Sequence, residues 1–546
     1  MPRSGLLLAI VTTFTIVAAE AGCTPRREAI ATTGTAGPFV FPYVDPTIPN
    51  APSAFTGSAG DPAAAPTIVY PIDGAMHALN IGDITFQWNR GDPGNQVFRI
   101  RLDDGQTDYD FYVPCAIARC LYTLPAAGWS ALAYAHPDQQ LTATIEGTDG
   151  AGGPVFKSPP VAVRFTPEPV TGGLYYWTVT ATGGTTYRLP FGASRASPFI
   201  VPSSPTNPLT CAGCHSVSRN GTTISFTATS DPTSAVSFLA TAPTIAPAAP
   251  TIAPNPTANT PTGTSAHFTA LNPDGSRALA TTNGHLEVYD TATGQAIDIG
   301  NTDALLPAGK LYTHPEWSPG GNRIAMTLYT GGSNATDIRP LDGEIVTLEL
   351  DPTSGQATGL RHIVAMNSAD GLFPYYPSWS PDGHWLVFAA APGGAYTAIT
   401  ARLRLASADV DGQTCPSATC FDLARASQGT SVGSTWPKLS PFPQSNGQLL
   451  FVTFSSKIDY GFALVNSGTN GANRAQLWMA AIDLRTATTG GDPSLPPIWL
   501  PFQDITETNH LPFWTALVAC TQDGISYASC GSGEACVQGA CAVSPS

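Results

Sequence analysis

The chain has 546 residues with Gly 53, Pro 51 and only 12% charged side chains, which excludes both a single small core and a helix-dominated fold. Its formal net charge of −15 excludes nucleic acid as a partner, because phosphate binding needs a basic surface. No stretch carries helical periodicity, so the expected fold class is all-β.

At the N-terminus Arg3 precedes an apolar run from Leu6 to Ala19, too short to span a bilayer and placed like an export signal over residues 1–22. Ala19-Glu20-Ala21 offers a cleavage site that would release a soluble protein. Ala21-Gly22-Cys23 is similar to a bacterial lipobox, in which Cys23 would be lipidated and anchor the chain to a membrane, although Glu20 replaces the usual aliphatic residue. The cysteine count favours lipidation. Of 11 Cys, setting aside Cys23 leaves ten in local sets: Cys115 with Cys120, Cys211 with Cys214, Cys415 with Cys420, and Cys520, Cys530, Cys536 and Cys541. Such usage fits an oxidising compartment, and the expected location is the bacterial cell envelope, as an outer-membrane lipoprotein on the periplasmic or surface side.

Residues 23–64 are rich in Pro, Ala, Thr and Gly and read as a disordered tether. From 65 to 167, alternating segments such as Ile84-Thr85-Phe86-Gln87-Trp88 and Val97-Phe98-Arg99-Ile100-Arg101 are separated by Gly, Asp and Pro turns. This stretch resembles a fibronectin type III or immunoglobulin-like sandwich, with Trp88 as its core tryptophan and Cys115 and Cys120 stapling a loop.

Residues 168–518 carry a repeated turn. Pro315-Glu316-Trp317-Ser318-Pro319-Gly320-Gly321 aligns with Pro377-Ser378-Trp379-Ser380-Pro381-Asp382-Gly383 and with His215-Ser216-Val217-Ser218-Arg219-Asn220-Gly221. A weaker copy runs from Phe268 to Gly275, and a degenerate one is Pro437-Lys438-Leu439-Ser440-Pro441. The Ser or Asn before each turn falls at 218, 272, 318, 380 and 440, at intervals somewhat above the roughly 40–50 residues of a four-stranded propeller blade. Leu174–Val179 and Gly183–Leu189 read as two strands with no turn motif before them, and Asn509–Trp514 starts a blade with no strands after it. Joined, they make a composite blade that closes a six-bladed ring by pairing both ends of the domain. Residues 240–265, with Ala242-Pro243-Thr244-Ile245-Ala246-Pro247 nearly repeated, read as a Pro-rich surface insertion. Residues 519–546 form a small Cys-rich tail, a two-disulfide knob with three possible pairings.

The turn motifs resemble those of TolB-type, WD40-like β-propellers of bacterial envelopes, and the chain is similar to large envelope lipoproteins of myxobacterial type that add a C-x-x-C-H segment. That resemblance implies a propeller over roughly 170–518 and leaves activity open.

Cys211-Ala212-Gly213-Cys214-His215 carries the most specific chemistry. Two thiols three positions apart can form thioethers to one porphyrin, and the adjacent His can ligate its iron, which is the c-type haem pattern. A Cys211–Cys214 disulfide and a zinc site are the rival readings. In propeller geometry the residue before each aligned Pro should ring one mouth of the central channel, which nominates Cys214, His267, His314, Tyr376, Trp436 and Leu511, with His510 one step away. His215 is then the proximal haem ligand and His267, His314 or His510 the distal one, with Tyr376 and Trp436 flanking the porphyrin or capping the channel. The leading expectation is an exported propeller protein with one haem c for electron transfer or redox sensing, meeting envelope proteins or a redox partner. The alternatives are a haem-free TolB-like interaction scaffold and, third, a haem peroxidase. Absence of a G-x-S-x-G elbow weighs against a hydrolase, and the chain is not expected to be an enzyme.

Overall fold

The computed structural model describes residues 39–180, 183–191, 193, 195–201, 211–229, 238–243, 266–332, 338–366, 370–394, 398, 400–429, 432–469, 471–515, 534–537 and 540–543. Almost all of its regular structure is β. The N-terminal part is a two-layer sandwich. One layer runs in the order Tyr43–Val44, Asp108–Pro114, Val97–Asp103, Gln140–Thr148, Val161–Phe165 and Ala75–His77, with Phe156–Lys157 added on Gln140–Thr148. The other is Thr67–Tyr70, Thr85–Asn89 and Arg119–Thr123.

Period-2 alternation sets the faces. Phe98, Ile100 and Leu102 point inward, while Arg101 turns outward and its Nε donates to Asp110 Oδ1 at 2.7 Å. Trp88 is fully buried and meets Phe98 edge-on at 5.2 Å. Cys115 and Cys120 form a disulfide that closes the loop before the Arg119–Thr123 strand.

Two expectations need correction here. Residues 39–64 are not a tether: Tyr43–Val44 pairs in parallel with Phe111–Tyr112, Phe41 packs on Phe111 at 5.4 Å, and Tyr122 Oη donates to Asp45 Oδ2 at 2.6 Å. A few aromatics, Phe39, Phe41 and Tyr43, bury enough apolar surface to offset the ordering entropy of a Pro- and Ala-rich stretch. Residues 23–38, and with them Cys23, lie outside the described residues. The second correction is a helix, Ala126–Ala135, which buries Trp129, Leu132 and Ala133. Its outer face is Ala and Ser rather than charge, so the apolar and polar contrast that reveals an amphipathic helix is missing.

Six antiparallel sheets follow. Sheet I is Ser197–Ile200, Gly183–Pro190, Gly173–Thr180 and, innermost, Thr508–Thr515. From the inside outward, sheet II is Cys211–Val217, Thr223–Thr229 and Phe238–Pro243, and sheet III is Ala266–Leu271, Arg277–Thr282, His285–Asp290 and Ala296–Ile297. Sheet IV is Lys310–Trp317, Arg323–Thr330, Glu344–Leu350 and Ala357–Val364. Sheet V is Phe373–Trp379, Trp385–Ala391, Arg402–Ser407 and Cys420–Asp422, and sheet VI is Thr435–Leu439, Leu449–Ser456, Gln476–Asp483 and Ile498–Trp499. Each innermost strand lies beside that of the next sheet, and Thr508–Thr515 lies beside both Thr435–Leu439 and Cys211–Val217. That is a propeller arrangement, with sheet I assembled from strands more than 300 residues apart, Trp177 facing His510.

The repeated motif is the turn between first and second strands. In Ser318–Gly321 and Ser380–Gly383 the glycine N–H donates to the Ser carbonyl at 3.0 Å, and Gly321 and Gly383 hold φ of 74° and 75°. Glycine adopts that left-handed conformation without a Cβ penalty. In sheet II the strand Phe238–Pro243 takes in the first residues of the expected 240–265 insertion, and 244–265 lie outside the described residues. Cys415 and Cys420 form the second disulfide, at the outer edge of sheet V. Of the tail, Glu534–Val537 and Ala540–Val543 form a hairpin with Cys536 opposite Cys541, whereas Cys520 and Cys530 lie outside the described residues.

Sandwich and sheets share one apolar cluster, which joins Trp88 and Phe98 to Trp478 and Trp499. Gln87 Oε1 accepts from the backbone N–H of Phe462 at 2.6 Å and of Ala463 at 3.1 Å, and Tyr460 stacks on Trp499 at 4.1 Å while meeting Tyr70 edge-on at 4.9 Å. A Cβ on Gly461 would lie 2.4 Å from Gln87 Oε1, so only glycine permits this approach.

Candidate functional site at the channel mouth

Each innermost strand breaks register at the same place. The shifts fall between Gly213 and Ser216, Ala266 and Phe268, Thr313 and Glu316, Tyr375 and Ser378, and Thr435 and Lys438. Cys214, His314, Tyr376, Trp436 and Leu511 hold φ between 47° and 57° there. A left-handed bulge reverses the alternation of the strand and turns these side chains into the channel, at a local cost of about 1–2 kcal/mol per residue.

Cys214, Phe268, His314, Tyr376, Trp436 and Leu511 consequently line one cavity at the mouth. Five of these six are the residues nominated from the sequence. The sixth is a correction: Phe268 holds the place expected of His267, since it stands four residues before the turn marker Asn272 just as His314 stands before Ser318. His510 precedes Leu511 and packs beside Trp177 with ring centroids 6.3 Å apart, and it does not line the mouth cavity.

Two buried histidines border the cavity. His215 is 1% exposed; its Nε2 lies 3.2 Å from the carbonyl of Tyr175, and its Nδ1 has no hydrogen-bond partner. Burial holds its pKa down to about 4, against the Tyr175 carbonyl, which raises it, and with Lys438, which lowers it further. His314 is 4% exposed and neither ring nitrogen has a partner; its ring lies 3.9 Å from Tyr376 and 4.6 Å from Phe268. Burial, then Lys438, pushes its pKa well below the ordinary value. Both rings are neutral at pH 7.

Beneath the mouth lies a charged layer that is not among the residues nominated from the sequence. Glu316 and Lys438 form an ion pair across sheet V; Ser378 Oγ donates to Glu316 Oε1 at 2.8 Å and Trp379 N–H to the same oxygen at 3.1 Å. The Lys438 ammonium also sits 4.1 Å from the centroid of Phe513. The signal was present in the repeat. Glu316, Ser378 and Lys438 occupy the variable position directly after the Pro, two residues past the bulge.

The placed residues do not fit a haem inside this cavity. Its volume is about 30 Å3, against roughly 300–1,000 Å3 for an ordinary cofactor pocket. Tyr376 and Trp436 are stacked on each other at 3.9 Å, so one face of each is already used. His215 is directed at the Tyr175 carbonyl and packs on Phe513 at 5.4 Å rather than facing an open space. Cys214 is half-buried at the mouth and Cys211 opens the strand opposite Thr229; the Cys211 side chain lies outside what is described. Among the described residues no three His, Cys, Asp or Glu side chains converge as a metal site.

The buried histidines make stability depend on pH. His77 is held at about 3, His215 and His510 at about 4, and His314 well below its ordinary value, all first by burial. Near neutrality these rings are neutral in both states; below about pH 6.5 the unfolded chain takes up protons that the folded one refuses. Stability is therefore fully present above pH 6.5 and lost as pH falls towards 4, at about 1.4 kcal/mol per pH unit for each histidine. Urea midpoints at pH 7, 5.5 and 4.5 are expected to fall along this slope, and His314→Phe to make it shallower; an unchanged slope in the variant would show that His314 is solvated.

No protein-family model and no curated protein matches the chain. Among solved structures it is similar to a TolB protein of Agrobacterium tumefaciens, at 16% identity and a TM-score of 0.30 over 47% of this chain and 81% of that one. It is also similar to the periplasmic gluconolactonase PpgL of Pseudomonas aeruginosa, at 18% and 0.28 over 58% of this chain and 95% of that one. The β-propeller domain of the Trilobed protease of Pyrococcus furiosus aligns at 10% and 0.27 over 63% and 79%. At these scores the likeness carries no functional weight, and the propeller reading rests on the strand pairings above.

Proposed function

We propose that the chain is an exported β-propeller protein of the cell envelope that acts as a haem-free interaction scaffold of TolB-like kind, built from a six-bladed propeller and a fibronectin type III-like sandwich. The observation that carries this reading is the filled mouth: among the described residues, the ring of bulged side chains and the Glu316–Lys438 layer leave no cofactor-sized space there, so binding falls to the outer surfaces. Sheets I to VI are the six blades, and the sandwich, fixed to sheet VI through Gln87 and Tyr460, extends that surface. Export is supported by Arg3 and the Leu6–Ala19 run and by the Cys115–Cys120 and Cys415–Cys420 disulfides. Cys23 is the lipid anchor in this reading. Among the described residues no helix is long and apolar enough to cross a membrane.

The test is expression of the full chain in a bacterial host with cytochrome c maturation. The expected pyridine haemochrome spectrum has no haem band, the mass of the product includes no porphyrin, and labelling with radioactive palmitate disappears in Cys23→Ala. A covalent haem on Cys211 and Cys214 would restore the electron-transfer reading if low-spin, or the peroxidase reading if high-spin. Photo-crosslinkers at the exposed Leu341 and Val410 are expected to give discrete envelope adducts in intact cells, and their failure to do so would count against a scaffold.

A further inference from the structure

A second cavity lies away from the channel, at the seam of the sandwich with sheets I and VI. It encloses about 150 Å3 between the Asn80–Asp83 turn, Ala126 and Ser130 of the helix, Phe191 after a sheet I strand, and Pro501 and Phe502 after the last strand of sheet VI. A closed apolar cavity of about 150 Å3 takes up benzene, and this pocket is open to solvent on one side, so it holds the ring of one six-membered unit with its outer substituents left in solvent.

Its walls are not those of a dry cavity. Phe191 and Phe502 are 7% and 9% exposed and supply apolar ring surface. Asp83 and Ser130 bring a half-buried carboxylate and hydroxyl, and among the described residues neither side chain has a hydrogen bond or ion pair within the protein. Asp83 also holds φ of 59°, and strained non-glycine backbone of this kind gathers at ligand sites. No Lys, Arg or His lines the cavity, so an anion would find no counter-charge. A purely apolar ring would leave the carboxylate unanswered and desolvated. A ring with hydroxyl donors on its edge and a C–H face satisfies both kinds of wall, and hydroxyls donating to a carboxylate make the stronger, charge-assisted bonds.

We propose that the seam cavity binds one pyranose-sized sugar unit, its C–H face on the phenyl rings of Phe191 and Phe502 and its hydroxyls donating to Asp83 and Ser130. The site is independent of the scaffold role and of the channel. It joins two parts of the fold, so a bound sugar would bridge sandwich and propeller.

Saturation-transfer NMR on the full chain with glucose, galactose, xylose and N-acetylglucosamine tests the site, with cyclohexanol as a ring that carries one hydroxyl. At least one sugar is expected to bind with a Kd on the order of 1 mM, the scale expected for so small a ligand. Binding is expected to weaken about tenfold or more in Asp83→Gly, which keeps the left-handed backbone, and in Ser130→Ala, which keeps the helix. Asp83→Asn, which preserves both shape and backbone, is expected to weaken it as well and guards against a folding defect in the glycine variant. Silence across the whole panel, preference for cyclohexanol over every sugar, or equal binding by the folded variants would overturn the proposal.

Discussion

Lys438→Met is expected to lower the stability of the protein by about 3–5 kcal/mol, the usual cost of removing one partner from a buried ion pair. The side chains of Lys438 and Glu316 are 9% and 15% exposed, so solvent screens the pair little. With Lys438 gone, Glu316 keeps its bonds from Ser378 and Trp379 and the attraction of Arg219, but loses its ion-pair partner. Those two donors place the expected loss towards the lower end of the range. The double variant Glu316→Gln with Lys438→Met removes the pair together and is expected to recover part of the loss, because replacing a whole buried pair is often neutral or stabilising, while Arg219 loses the attraction it draws from Glu316. Urea unfolding followed by tryptophan fluorescence measures both variants. A single-variant loss below about 1 kcal/mol, the range of exposed pairs, would mean that water reaches this layer and that the channel is wet.

Ending the chain after Glu507 is expected to abolish the folded state, whereas ending it after Thr515 is expected to leave the propeller intact. The segment between these points is the innermost strand of sheet I. It pairs with Gly173–Thr180, lies beside the first strands of sheets II and VI, and buries Leu511, Phe513 and Trp514 to between 4% and 9% exposure. Burial of side chains of this size contributes about 1.5–3 kcal/mol each, so the strand supplies a large share of the roughly 5–15 kcal/mol that separates a folded domain from its unfolded chain. Its removal also leaves the Gly173–Thr180 edge unpaired, a template for aggregation. Solubility and limited proteolysis of the two truncations compare the outcomes directly. A soluble, protease-resistant product ending at Glu507 would show that the ring stays closed without this strand.

Much of this architecture was legible because turn chemistry is local. A Ser or Asn three residues before a glycine marks the strand connection in sheets II to V, and Gly321 and Gly383 stand where a left-handed residue is required. The ring of channel residues followed from the same alignment, and in sheet III counting back four residues from Asn272 reaches Phe268 rather than His267. Glu316 and Lys438 were visible only as differences between copies, and their pairing across sheet V depends on how inner strands converge, which no single repeat records. The ordering of residues 39–64 was hidden for a related reason. Phe39, Phe41 and Tyr43 look sparse along the chain but find Phe111 and one another in space.

Pairing Trp177 with His510 also fixes an order of events. Sheets III to VI are made of strands local in sequence and can form as each emerges during synthesis, but sheet I must wait until residue 515 is available. Until then one hydrogen-bonding edge of Gly173–Thr180 has no partner, across the whole interval in which sheets II to VI are being made. Contacts this distant in sequence are slow to form, and unpaired edges invite association with other chains while they wait. The step that completes the ring is therefore also the one most exposed to failure, and its timing is set by when Thr508–Thr515 is made rather than by the stability of any one sheet.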